Sequence, residues 1–238
     1  MPTRYDDKVV LVTGARRGLG AVIADHFEQR GAQVVGFSRH ANEVPKSDRR
    51  IDVTVDVGDA ASVSAGFEAI RKHFGRLDVC INNAAVLTSQ YAMIMPAASA
   101  KAMVDTNLLG TFLVSREAAK LMRKGKWGRI VNVSSMAVSL EPMGDSVYAA
   151  TKAAITTLAN IMAKEFAATN VTCNTLGITA FETDMLAQLP RDKIDAIIAD
   201  LPLARMANRD DVGHVLDFFC GSDSDGITAQ TVYLGGVH

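Results

Sequence analysis

A short apolar run, Val9-Val-Leu-Val12, breaks at Thr13-Gly14-Ala-Arg-Arg-Gly18-Leu-Gly20 and resumes with Leu19, Val22, Ile23 and Phe27 at helical spacing. Strand, glycine turn and helix in that order constrain the fold strongly, because a helix leaving a strand in this way returns the chain to a parallel neighbour. The rhythm repeats. Gln33–Phe37, Ile51–Val55, Leu77–Ile81, Arg129–Val133, Val171–Thr175 and Thr231–Leu234 read as further strands. Between them, Val63, Phe67, Ile70 and Phe74 share a helical face, and helices are expected from Asn107 to Met122 and from Ser146 to Ala168. Strands that are apolar throughout, rather than at alternate positions, belong to a parallel sheet covered on both faces. The expectation is a single-domain, doubly wound α/β fold. One excursion, residues 178–208, departs from the rhythm with two short helical patterns, Pro190 and Pro202. Lying after a strand, it is a candidate substrate lid.

Charge narrows the partners. With 25 Lys+Arg against 26 Asp+Glu the net charge is −1, without the basic excess that a nucleic-acid binder shows. No apolar run reaches the roughly 18 residues of a membrane span, and Met1 to Asp7 lacks a signal peptide's apolar core, so a cytoplasmic location is expected. Cys80, Cys173 and Cys220 are far apart and lack metal-ligand spacing, which reads as three buried thiols. Lys120, Arg123, Lys124, Lys126 and Arg129 read as a basic cluster at a helix end, favoured by the helix dipole. Docking of an acidic carrier protein is the sharper alternative.

The glycine turn suits a dinucleotide. Gly14 permits a tight turn, Gly18 lets backbone approach a pyrophosphate and Gly20 lets the helix pack on the strand. Arg16, Arg17 and Leu19 complete the turn, and the helix N-terminus offers unpaired N–H groups to phosphate. At the end of the second strand, Phe37-Ser38-Arg39 replaces the acidic residue that would hold a ribose 2′-hydroxyl. Ser38, Arg39 and Arg17 favour a 2′-phosphate, hence NADP(H) over NAD(H). Asp56-Val57 is placed to meet the adenine, and Asp56 is equally placed to cap the next helix.

Tyr148-Ala-Ala-Thr-Lys152 puts a phenol and an ammonium on one helical face. A cation beside a phenol favours the phenolate, the direction needed for proton exchange near neutrality. The ordered set Thr13-Gly14-x-x-x-Gly18-x-Gly20, Asn82-Asn83-Ala84, Asn107, Ser135 and Tyr148-x-x-x-Lys152 closely resembles the short-chain dehydrogenase/reductase superfamily, over essentially the whole chain. The resemblance implies a Rossmann-type sheet and a nicotinamide oxidoreductase acting on a small carbonyl or alcohol substrate. It assigns proton exchange to Tyr148, a hydrogen bond to the substrate oxygen to Ser135 rather than Ser134, Tyr148 activation and ribose binding to Lys152, and a relay water to Asn107. It also places Asn82, Asn83, Ala84 and Ala85 along the cofactor groove and Thr183 at the carboxamide.

The main departure is Ile178-Thr179, where the family usually has Pro-Gly; a shifted nicotinamide edge or a more mobile lid is expected. A regulatory or scaffold protein that keeps the cofactor and has lost turnover is the alternative this raises. A serine hydrolase built on Ser135 lacks the G-x-S-x-G elbow. Leu87, Met136, Glu141, Met143, Met185 and residues 186–206 are expected around the substrate. The carrier-docking alternative is weakened by Thr169-Asn170, where carrier-linked relatives often place a second basic residue. The alanine face of the long helix (Ala149, Ala150, Ala153, Ala154) fits a dimer or tetramer contact, or packing on the sheet.

Overall fold

The computed structural model describes residues 4–40, 47–181, 194–195, 198–199 and 201–237. Seven strands form one parallel sheet: β1 Val9–Thr13, β2 Gln33–Ser38, β3 Arg50–Thr54, β4 Val79–Asn82, β5 Gly128–Ser135, β6 Val171–Ile178 and β7 Thr231–Tyr233. Their order is β3-β2-β1-β4-β5-β6-β7, which reverses direction beside β1. Ligands of such sheets sit at that switch point, outside the carboxyl ends of the strands.

Helices cover both faces. One core layer joins Leu11, Val35, Phe37 and Ile130 of the sheet to Phe67 of α2 (Ala60–Phe74), Val114 of α4 (Gly110–Met122) and Met162 of α6 (Ser146–Phe166). The other joins Val10, Val12, Val34 and Leu176 to Ile23 and Phe27 of α1 (Gly18–Gln29) and Leu216 and Phe219 of α7 (Arg209–Cys220). Two further short helices are α3 (Ala97–Met103) and α5 (Ala137–Leu140). Caps set the ends: Asp59 accepts from Ser62 N at the start of α2, left-handed Gly75 closes it, and Asn208 and Asp211 form a capping box on α7. Asp217 links α7 to α1 through His26 (2.9 Å), Arg30 (3.3 Å) and the Tyr5 hydroxyl (3.0 Å). Burial alone would raise the Asp217 carboxyl, but its His26 and Tyr5 hydrogen bonds and the Arg30 charge outweigh it and hold the carboxyl low.

Several sequence boundaries move. β5 continues to Ser135 and β6 to Ile178, because parallel pairing carries the ladder on to Ser135 beside Ile178. The helix expected from Asn107 starts ten residues earlier as α3 and passes through a π turn, Val104–Leu109, before α4. Ile178 is a buried strand residue whose carbonyl accepts from Met136 N at 2.7 Å, while most of the expected lid beyond it lies outside the described residues. Thr179 is buried against Gly235, and its hydroxyl points at Met136 Sδ, 3.6 Å away. The basic cluster loses Arg129, which is buried in β5 with its guanidinium on Asp225 and over the Trp127 ring. Lys120 pairs with Glu117 on its own helix at 2.8 Å.

Candidate active site

The turn between β1 and α1 is built against the end of β4. The Thr13 hydroxyl accepts from Asn83 N and Ala84 N, both at 3.0 Å, and Asn83 Nδ2 donates to Thr13 O at 2.9 Å. Gly14 has φ +69°, and a Cβ there would press on Asn83 and Ala84. A Cβ on Gly20 would collide with the Gly14 carbonyl and lie 2.5 Å from Asn83 Nδ2. Both glycines therefore keep the helix start against the strand ends, and Gly18 supplies a second positive φ. Arg17 is the N-cap residue of α1, with no side-chain cap hydrogen bond and no acidic residue in the first turn. Arg16 and Arg17 are exposed, and Leu19 is half-buried against the core. An uncapped N-terminus with a positive dipole end and glycine clearance fits a pyrophosphate.

At the end of β2, the Ser38 Oγ is buried without a hydrogen-bond partner among the described residues, beside exposed Arg39. An orphaned buried hydroxyl is costly unless a ligand completes it, so these residues fit an adenosine ribose carrying an acceptor group. Asp56 does not cap α2, the role Asp59 takes; its carboxylate accepts from Gly58 N at 2.9 Å in a local turn. The Val57 side chain is buried against Gly110, leaving backbone for any adenine contact.

The candidate reacting groups meet where β5, α6 and the π turn converge. The Ser135 Oγ accepts from Ala137 N at 3.1 Å and faces the Tyr148 hydroxyl closely enough to lower its pKa. Ser134 points the other way and donates to Lys152 O at 3.0 Å, as alternation along a strand requires, so it is not available to a substrate. Burial pushes the Tyr148 phenol up to about 12, the Ser135 hydrogen bond pulling it down and the Asp145 charge pushing it up. Burial lowers Lys152 to about 8, while its Nζ donates to Val133 O at 2.7 Å. Nζ stands 5.8 Å from the centre of the Tyr148 ring.

Asn107 is buried in the π turn, and its amide is fully engaged. Oδ1 accepts from Val86 N at 2.9 Å, and Nδ2 donates to Val86 O at 3.0 Å and to the Thr151 hydroxyl at 3.1 Å. Thr151 in turn donates to Tyr148 O at 2.7 Å. Thr151 thus joins Asn107 to the tyrosine's turn of helix, a link that only the folded arrangement discloses.

A family model described as short chain dehydrogenase matches residues 8–194. The chain belongs to the short-chain dehydrogenases. It is similar to the 3-oxoacyl-(acyl-carrier-protein) reductase of Escherichia coli, at 29% identity over 98% of this chain and 97% of that one. The enzyme of the same name from Vibrio cholerae is 30% identical, covering 97% of each chain. A solved putative gluconate dehydrogenase from Agrobacterium tumefaciens superposes with a TM-score of 0.89 at 26% identity, covering 98% of this chain and 96% of its own. The 3-ketoacyl-(acyl-carrier-protein) reductase of Brucella melitensis, solved with NADH, gives 0.89 at 26% identity and covers 97% and 98%. As a short-chain dehydrogenase the chain is an oxidoreductase of CH–OH and C=O groups that uses a nicotinamide cofactor.

Other short-chain dehydrogenase positions distribute as follows. Ala84, Ala85 and Leu87 are half-buried along the groove side of the β4 end. The Asn82 amide turns inward to Ser115 and Asn132, both at 2.8 Å, so its side chain serves the core rather than the groove. Met143 is 84% exposed and does not line a closed pocket, and Glu141 is exposed in a left-handed conformation. Thr183, Met185 and most of the expected lid lie outside the described residues.

Proposed function

We propose that the chain is a cytoplasmic NADP(H)-dependent reductase or dehydrogenase, interconverting a carbonyl and a secondary alcohol of a small ketone, sugar, polyol or acyl substrate. The observation that carries this reading is the Ser135–Tyr148 hydroxyl pair at the carboxyl end of β5, with the buried Lys152 behind it. Bound nicotinamide supplies the hydride in reduction and takes it in oxidation. Tyr148 gives its proton to the substrate oxygen in reduction and removes it in oxidation. Ser135 donates to the same oxygen, so charge growing there meets two aimed hydroxyls. Lys152, its Nζ on Val133 O, is assigned the charge that opposes the burial holding the phenol protonated, and the contact with the nicotinamide ribose. Asn107 and Thr151 fix the tyrosine's helical turn, and the Asn107 position is assigned the relay water. Ile178 and Thr183 are assigned to the carboxamide side of the ring. Met136 and Leu87 are assigned to the substrate side.

The preference for NADP(H) rests on the Ser38 Oγ, unpartnered among the described residues, beside Arg39, with Arg16 and Arg17 across the turn. In a fluorescence titration NADPH binds about tenfold or more tightly than NADH, as charge-assisted bonds to a phosphate require. Ser38→Asp reverses the order by repelling the phosphate and accepting from a ribose hydroxyl. Equal affinities in the parent protein would remove the phosphate assignment.

The reading includes a homo-oligomer. Leu109 in the π turn and Phe112 on α4 are 40% and 36% exposed, and Ile161 on α6 is 51% exposed, along with Ala150 and Ala153. The exposed alanines therefore do not pack on the sheet, and two adjacent helices share an apolar outer face. Phe112→Glu with Ile161→Glu converts a dimer or tetramer into a monomer in sedimentation velocity. An unchanged sedimentation coefficient would place the interface elsewhere.

A further inference from the structure

Arg50 opens the edge strand β3, yet its guanidinium is fully buried. A fixed charge leaves water only where hydrogen bonds and counter-charges replace hydration. Nη2 donates to Ala15 O at 2.9 Å, and Nε and Nη2 both reach Asp52 Oδ1, at 3.2 and 3.1 Å. Nη1 lies 3.5 Å from the Asp25 carboxylate on α1. Gly36 on β2 makes the space: a Cβ there would collide with Asp52 and stand 3.0 Å from the Ala15 Cβ. In the ladder Asp52 lies beside Gly36 and Arg50 beside Val34, whose side chain belongs to the core layer under α1.

Ala15 is the residue after Gly14 in the turn assigned to the pyrophosphate. The N–H groups of Gly14 and Ala15 point at Phe37 O of β2, at 2.7 and 3.4 Å. The turn is thus held from β2 through its amides and from β3 through the Ala15 carbonyl, on which Arg50 donates. Two carboxylates offset the arginine's charge, so its influence runs through aimed N–H groups rather than through a field at the phosphates.

The geometry points to Arg50 as a positioning residue for cofactor binding, fixing the Ala15 peptide so that the N–H groups at the start of α1 stay aimed at the dinucleotide. This assignment rests on the proposed cofactor reading. The test titrates the full chain, its Arg50→Met, Arg50→Lys and Asp52→Asn variants with NADPH, beside thermal melts and steady-state kinetics. Arg50→Met binds NADPH about tenfold more weakly, the loss of one hydrogen bond from a charged donor, while kcat at saturating cofactor stays within about twofold. Arg50→Lys recovers most of the affinity, because one donor still reaches Ala15 O. Asp52→Asn, which frees the guanidinium without removing bulk, weakens NADPH about threefold or more. A cooperatively melting Arg50→Met protein with parental affinity overturns the assignment. Should Arg50→Met not fold, unchanged NADPH affinity in Asp52→Asn overturns it instead. A parent chain that binds neither NADPH nor NADH overturns the cofactor reading, and the Arg50 assignment with it, whereas binding by the parent and unaltered binding by the variants overturns the Arg50 assignment alone.

Discussion

Tyr148→Phe lowers kcat for carbonyl reduction by about 10²- to 10⁴-fold, the range for removing a positioned general acid. The substitution deletes one oxygen from a buried ring, so NADPH affinity stays within about twofold of the parent and the melt remains cooperative. A Tyr148→Phe enzyme with more than about a tenth of parental turnover would take the proton transfer away from Tyr148. The pH dependence carries the same assignment. Burial holds the phenol well above its ordinary value, at about 12, so the proton needed for reduction is present throughout the neutral range. Oxidation needs the phenolate, whose fraction grows with pH. Alcohol oxidation by the parent therefore rises between about pH 6 and 8 while carbonyl reduction does not, and this rise is absent from the residual activity of the Tyr148→Phe variant. Lys152, lowered by burial to about 8, begins to lose its charge at the upper end of that window. The oxidative rise then flattens above about pH 8, because the phenolate loses its cationic neighbour.

Gly20→Ala weakens NADPH binding by about 100-fold, the loss of two hydrogen bonds to a charged phosphate at about 1.5 kcal/mol each. The added Cβ meets the Gly14 carbonyl and Asn83 Nδ2, which belong to the turn and to the strand end behind it. The carbonyl is backbone and the Asn83 amide is tied to Thr13 O at 2.9 Å, so α1 must move outward and carry its first N–H groups with it. Overpacking of this kind costs about 1–3 kcal/mol of stability, leaving a folded protein whose affinity can be measured. Calorimetric titration at several NADPH concentrations separates the two effects. Parental affinity in a destabilised Gly20→Ala chain would mean that the pyrophosphate does not use this helix start.

The sheet, the glycine turn and the helical pairing of Tyr148 with Lys152 are legible in the sequence because each rests on local pattern: continuous apolar strands, positive-φ glycines and a four-residue helical repeat. Residues that depend on pairing were not. β6 reads as ending at Thr175, since Leu176-Gly177-Ile178 carries no clear strand pattern of its own; only its neighbour β5 draws it on to Ile178. That extension also changes the meaning of Ile178-Thr179, which the sequence presents as a loop freed by the loss of proline. The helix before Asn107 was missed because the π turn advances the apolar face, so no single 3.6-residue register spans 97–122. Arg50, Thr151 and Asp217 act across 35, 44 and 191 residues of sequence, beyond the reach of any spacing argument. Arg129 failed as part of a surface cluster for the converse reason, its neighbours in sequence being exposed while its own strand position is interior.

The three thiols have a practical consequence. Cys80 on β4 and Cys173 on β6 lie in one core layer and Cys220 on α7 in the other, all buried and unpaired. Burial raises all three, Cys173 to about 12, so the folded chain presents essentially no thiolate at neutral pH. Alkylating reagents and peroxide must then wait for the layers to open. The labelling rate of these cysteines is a built-in clock for unfolding, and inactivation by a thiol reagent measures how often the molecule opens rather than any chemistry at the Ser135 and Tyr148 hydroxyls.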